Sequence, residues 1–274
     1  RPRITALTKW YLSITMILLF FSPIAVAGEL KLSGKFTQGG LIFGWATPGA
    51  LITLDGKRIR QAKAGDFLLG FARLAARTSQ LEVVFTDGSI VLRKLVIKQR
   101  KYDIQRIDGL PKRQVTPSAE DLARIKKESA LINKARQTKV AEPFFKAEFT
   151  SPAIGRVSGV YGTQRILNGQ ERRPHYGQDI AAPTGAEVKA TSAGVVIFVH
   201  PGMFFNGKTV IINHGLGLHS IYLHMNAVRV KAGERVTKGK IIGEVGQTGR
   251  ATGPHLHWGV TLNQLPLDPA LIVN

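Results

Sequence analysis

The sequence predicts a mainly β protein, with a larger antiparallel β-sandwich at the C-terminal end, a second, smaller β-sandwich before it and a linker helix between them. Three observations lead there. The chain has 274 residues, 44% of them hydrophobic, with Gly 29 and Pro 13, a composition that favours short strands and many turns. Apolar stretches of strand length alternate with turn dipeptides in two blocks, and a helical period interrupts them once. The length leaves room for two domains of ordinary size.

Residues 1–27 stand apart. Arg1, Arg3 and Lys9 precede an apolar run from Trp10 to Phe21, and Ser22-Pro23 leads to Ala25-Val26-Ala27. This is the pattern of a signal peptide cut after Ala27. The run is short beside the roughly 20 apolar residues of a spanning helix, although a retained anchor is the alternative. Export places the protein in the periplasm or cell envelope. The sequence holds no Cys, so disulfides and thiol chemistry are both excluded.

Residues 28–100 carry the turn signals Gly39-Gly40, Pro48-Gly49, Asp55-Gly56, Gly65-Asp66 and Asp87-Gly88. Between them the stretches 50–54, 81–85 and 90–92 read as strands joined by hairpins. No His, Asp or Glu cluster lies here, so this accessory domain is expected to pack, bind or position. Residues 101–149 form a linker. Ser118 can cap a helix over 118–138, with Asp121 as its capping-box partner, and Leu122, Ile125, Ser129 and Ile132 fall on one face. That narrow stripe is expected to dock on a domain, a partner-binding helix being the sharper reading. From 150 to 274 the chain is again β-rich, with strands expected near 186–199, 208–213, 218–224, 240–245 and 255–261.

The net charge of +20 is spread over every segment. An even basic excess suits attraction to a polyanionic surface. No recognition motif or aromatic-basic platform accompanies it, so no nucleic acid partner is expected.

All seven histidines fall in the last 100 residues. In His175-Tyr-Gly-Gln-Asp179 an imidazole and a carboxylate four apart can share a face. In His255-Leu-His257 both imidazoles project to one side of a strand, while Leu256 and Trp258 point to the other. Along 218–224, Ser220, Tyr222 and His224 face one way and Ile221 and Leu223 the other, so the polar face is expected to be presented to a site. Each short pattern is common by chance. Together, nitrogen ligands, a carboxylate and no thiol suit zinc, with a fourth position left for water.

The segments HYGQDIAAPTGAEV from His175, GKTVIINHGLGLHSIYLHM from Gly207, VKAGERVTKGKIIGEVGQTGRATGPHLHWGV from Val230 and Asp268-Pro269 resemble the LytM/lysostaphin-type zinc endopeptidases of bacterial cell walls. The resemblance covers about residues 150–270. It implies that His175, Asp179 and His257 bind Zn2+, that His224 and His255 are catalytic histidines outside the ligand set, and that a compact antiparallel β-sandwich catalytic domain cuts peptide crosslinks of peptidoglycan. Which histidine is base and which stabilises the oxyanion stays open, as does the bond cut. Tyr161, ahead of the metal segment, is a candidate groove or oxyanion contact. His200, His214 and His219 read as turn or rim residues.

The segment Tyr102–Pro111 and the domain before it resemble accessory regions of Gram-negative members, which can cover the groove from within the same chain; separately, a monomer is expected. A second outcome for such domains is an inactive wall-binding protein that activates an amidase. The retained positions favour the enzyme. A biotinyl or lipoyl carrier has a similar strand rhythm around 230–243 but needs a modifiable lysine between methionines at a hairpin tip, which is missing here.

Overall fold

The computed structural model describes residues 28–109 and 115–273; the expected signal peptide lies outside the described residues. Strands dominate and nearly all pairings are antiparallel. Within the first block, Leu30–Gly34, Leu41–Ala46 and Asp66–Gly70 form one sheet, and Lys57–Ile59, Leu51–Leu54, Thr78–Val84 and Ile90–Val96 form another. Their inward residues, including Ile42, Phe67, Leu69, Ile52, Leu81 and Val83, make one buried core. This is the smaller sandwich expected from the turn spacing.

The second block is built on a large sheet ordered Arg235–Val236, Gly194–Met203, Gly207–Asn213, Leu218–Met225, His255–Leu262, Gln178–Ala181 and Arg156–Gly159, with Leu265–Leu267 paired to the 255–262 strand. Against it packs a small sheet of Glu187–Lys189, Ile241–Glu244 and Ala227–Val228. Val188, Ile242, Val210, Ile212, Tyr222, Leu256, Trp258 and Val260 fill the space between. One expected strand is divided: 186–199 breaks at Thr191-Ser192-Ala193, because Glu187–Lys189 belongs to the small sheet and Gly194–Met203 to the large one.

The helix α1 spans Ala119–Ala135, and Ser118 caps it by accepting from the Asp121 N–H at 3.1 Å. Its buried face differs from the expected stripe. Asp121, Glu128 and Ile132 are buried, whereas Leu122 is 54% exposed and Ser129 is exposed too. The reason is polar docking. The Glu128 carboxylate accepts from the Phe204 N–H at 2.8 Å and from Arg124 Nε at 2.8 Å, while Arg124 donates to the Gly202 carbonyl at 2.9 Å. Ile132 then joins Ile211, Ile221, Leu223 and Met203 in a cluster on the outer face of the large sheet.

The two blocks meet through specific contacts. Arg100 pairs with Asp268 at 2.7 Å, Lys146 with Asp66 at 2.9 Å, and Arg73 Nε donates to the Gly162 carbonyl at 2.7 Å. Ile104–Ile107 leaves the first block and pairs with Gln164–Leu167, the one parallel pairing between strands among the described residues.

Candidate metal centre and groove

Asp179 sits on the strand Gln178–Ala181, directly opposite His257 on His255–Leu262. His175 precedes that strand in a loop, and reciprocal backbone bonds with the 162–163 turn hold it: His175 N–H to the Thr163 carbonyl and Gly162 N–H to the His175 carbonyl, both 2.8 Å. The three side chains converge. His175 Nε2 and His257 Nδ1 lie 2.9 and 2.8 Å from Asp179 Oδ1, and 3.0 Å from each other.

Their chemistry fits a cation. A carbonyl can only accept, so His175 Nδ1, 3.0 Å from the Val160 carbonyl, carries the proton and Nε2 of the neutral ring presents a lone pair. That lone pair faces the lone pairs of Oδ1 and Nδ1 of His257, a repulsive arrangement unless a proton or a metal ion sits among them. Asp179 Oδ2 is taken by Arg165 at 2.9 Å, which leaves Oδ1 for the cluster. Burial works to raise the Asp179 pKa, but a proton shared with His175 and His257 and their positive charge when protonated outweigh it and hold the carboxyl well below the usual range. Burial lowers the His257 pKa against the opposing pull of Asp179. His175, Asp179 and His257 are thus a carboxylate and two neutral imidazoles suited to one metal ion.

Gly177 permits this approach. A Cβ there would lie 2.6 Å from the His257 ring and 2.7 Å from the Trp258 carbonyl.

His255 and His224 flank the cluster. Their ring centroids are 4.8 Å apart, and His224 is 6.3 Å from His257. His224 Nδ1 donates to the Thr248 carbonyl and His255 Nδ1 to the Gly253 carbonyl, both at 2.8 Å, so each neutral ring keeps Nε2 as an acceptor. His255 Nε2 lies 4.0 Å from Asp179 Oδ1. Burial, followed by the charges of His257 and His255, pushes the His224 pKa down to about 3.

The way His224 reaches the site is not the one strand alternation predicts. Ser220 and Tyr222 are fully buried inside the sandwich, where Thr191 N–H, the Tyr222 hydroxyl, the Ser220 hydroxyl and His214 Nε2 are linked in a row at 2.9, 3.0 and 2.8 Å. That face is an interior, not a presented surface. Continued alternation would carry His224 inside as well, but its φ is +62°, a left-handed conformation that re-aims the side chain toward the histidines.

Two other expectations change. Tyr161 is 2% exposed, and its hydroxyl donates to the Pro266 carbonyl at 3.1 Å, so the structure packs it between Tyr102 and Tyr176 and does not bring it to the histidine cluster. His214 and His219 are buried rather than rim residues: His214 lies inside the sandwich against Ser220 and Phe149, and His219 on the outer sheet face opposite Thr261. His200 stays half-exposed, stacked on Phe198.

A groove of about 380 Å³ opens on the cluster, lined by Asp179, His224, His255 and His257. Three guanidiniums also line it, from Arg156, Arg165 and Arg250, and Gln105 and Ile107 of the linker form part of its wall. Sequence patterns had not singled out these arginines, since they come from three separated stretches with no shared spacing.

Residues 173–269 match Peptidase family M23. The chain carries a peptidase M23 domain. The chain is 36% identical over 132 residues to the DD-carboxypeptidase/endopeptidase Mpg of Neisseria meningitidis serogroup B, covering 48% of this chain and 28% of that one. It is 37% identical over 116 residues to the peptidoglycan DD-endopeptidase ShyA of Vibrio cholerae, covering 41% and 26%. The chain therefore spans less than a third of the length of these relatives. A crystal structure of a peptidase M23 protein from Pseudomonas aeruginosa superposes with a TM-score of 0.64 at 28% identity, over 87% of this chain and 95% of that one. The M23 likeness in fold thus extends beyond the M23 segment into the first block.

Proposed function

We propose that the protein is a zinc-dependent endopeptidase that hydrolyses peptide crosslinks of bacterial peptidoglycan in the cell envelope. The observation that carries this reading is the convergence of His175, Asp179 and His257 beside two histidines whose Nε2 atoms are left as acceptors. Its nearest functional support is the wording of the relatives' names, which include DD-endopeptidase activity on peptidoglycan.

His175 Nε2, Asp179 Oδ1 and His257 Nδ1 would hold the zinc ion, which when bound supplies Lewis-acid activation of water and polarisation of the scissile carbonyl. The imidazoles of His224 and His255 are the groups that take and return protons. The Thr248 and Gly253 carbonyls fix their Nδ1–H tautomers, so Nε2 of each ring is left to accept a proton from the attacking water and later deliver it to the leaving amine; His224, pushed down to about 3, would hold such a proton only while negative charge develops beside it. Once protonated, the ring stabilises negative charge on the tetrahedral carbon's oxygen. Arg156, Arg165 and Arg250 make the groove electropositive, which suits a stem peptide with free carboxylates such as a D-alanyl to diaminopimelate crosslink.

Ile104–Ile107 reads as a cover. It supplies groove-lining residues from the linker and is held by four residues of parallel pairing. Ile107→Lys would place a like charge near Arg156 and Arg165, and severalfold higher kcat/KM on crosslinked muropeptides is the expected result; unchanged kcat/KM with normal folding would argue against a restraining cover.

The central experiment digests purified sacculi with the zinc-loaded protein and identifies released muropeptides by mass spectrometry. His257→Ala is expected to lose both zinc and turnover, and His255→Ala to keep zinc while losing turnover. Full zinc occupancy with normal turnover in His257→Ala would overturn the assignment.

A further inference from the structure

We propose that a small oxyanion, a carboxylate or a phosphate, binds in a second cavity on the same outer sheet face as the metal centre. The cavity holds about 350 Å³ and lies where the first block, the end of α1 and the 216–219 turn meet. Arg60, Arg136, Lys139, His219, Asn263 and Gln264 line it, and no carboxylate does. The volume is at the lower end for small-molecule sites.

Unpartnered polar atoms gather here. Arg136 Nε, both ring nitrogens of His219 and Thr261 Oγ1 are buried without a hydrogen-bond partner. His219 and Thr261 stand directly opposite each other on adjacent strands, and Arg136 lines the cavity beside His219. Buried polar groups in native proteins are almost always satisfied, so Arg136 Nε and the His219 ring, both lining the cavity with only the Gly217 carbonyl near that ring, call for a ligand that satisfies them. The donors set its chemistry. A guanidinium, an ammonium, a hydroxyl and an imidazole N–H all give hydrogen bonds, and among the described residues Arg60, Arg136 and Lys139 form no ion pair. Nor do the helix-end carbonyls compete, since Ala135 and Lys134 accept from Thr138 and Gln137, and Thr138 accepts from Asn213.

His219 is pushed down to about 3, by burial first and then by Arg136, so at neutral pH it is an uncharged ring able to donate one N–H. Bound negative charge would reverse part of that shift.

The site is separate from the metal centre. Thr261 lies four residues beyond His257 on one strand, roughly 13 Å at about 3.3 Å per residue. Ile221 and Leu223, under α1, fill the stretch between.

The test follows the His219 imidazole resonances by nitrogen NMR while the full-length, zinc-loaded protein is titrated with inorganic phosphate, with acetate, and with chloride at matched ionic strength. A saturable His219 shift with phosphate or acetate and none with chloride is expected, and the tighter of the two names the oxyanion class. Arg136→Met should weaken binding by about 10-fold or more, the worth of one charge-assisted hydrogen bond, and Lys139→Met, at an exposed position, should weaken it less. The proposal is overturned if chloride acts equally, if the shifts fall on His257 instead of His219, or if Arg136→Met binds as the parent does. Should Arg136→Met fail to fold, absence of a saturable shift in the parent still overturns it.

Discussion

At the scale of single residues, backbone groups decide what the histidines can do. Three carbonyls, of Val160, Thr248 and Gly253, each take the Nδ1 proton of one ring and leave Nε2 as an acceptor. Gly177 belongs to the same category, since its lack of a side chain lets the His257 ring close over the 175–179 turn. Gly177→Ala is expected to displace that ring and weaken metal retention by at least about tenfold, as disturbed ligand orientation generally does; competition with a chelator of known affinity measures it. His175, Asp179 and His257 could be singled out beforehand because the resemblance of their segments to LytM/lysostaphin-type endopeptidases implied them, and the structure brings those three side chains together. The histidine tautomers could not be, because the acceptors are main-chain atoms that any residue supplies. Tyr161 misled for a related reason. Its position near the metal segment is visible in one dimension, whereas the Pro266 carbonyl that holds its hydroxyl comes from 105 residues away.

For the elements, the strand pattern was largely readable and the helix face was not. His255–Leu262 alternates as its sequence suggests, with Leu256 and Trp258 in the core and the two histidines outward. In α1 the apolar stripe is too sparse to dominate, and a buried Glu128 anchored to Phe204 N–H and Arg124 displaces Leu122 and Ser129 from the interface. Replacing Glu128 by Gln weakens both charge-assisted contacts, and roughly 1–3 kcal/mol of stability should be lost. Urea unfolding followed by far-ultraviolet circular dichroism reads this directly, and a change within error would mean that the helix is held by Ile132 alone.

Over the whole molecule, stability without cysteine rests on two apolar cores joined by ion pairs such as Arg100–Asp268 and Lys146–Asp66. Acid should undo it in a defined window. Burial pushes His214 from its ordinary 6.5 down to about 4. As pH falls below 6.5 the unfolded chain takes up a proton that the folded chain refuses until about 4, so the stability present above 6.5 is lost progressively across that interval. The urea midpoint is therefore expected to fall from pH 7 to pH 4.5, and less steeply in His214→Gln, which cannot titrate. Parallel slopes in the two proteins would remove His214 from the account. The two-block division was legible from turn spacing and composition, but the parallel contact of 104–107 with 164–167 was not, because nothing local in either tetrapeptide encodes a partner some 60 residues away.

The left-handed backbone at His224 narrows what that position will tolerate. Of the residues comfortable at such a φ, Gly and Asn carry no group that accepts a proton near neutral pH, and Asp would set a second carboxylate in the groove that Asp179 already lines. In a saturation library at 224, thermal stability and turnover are expected to pull apart: Gly and Asn give stable, inactive chains, and no replacement scores well on both.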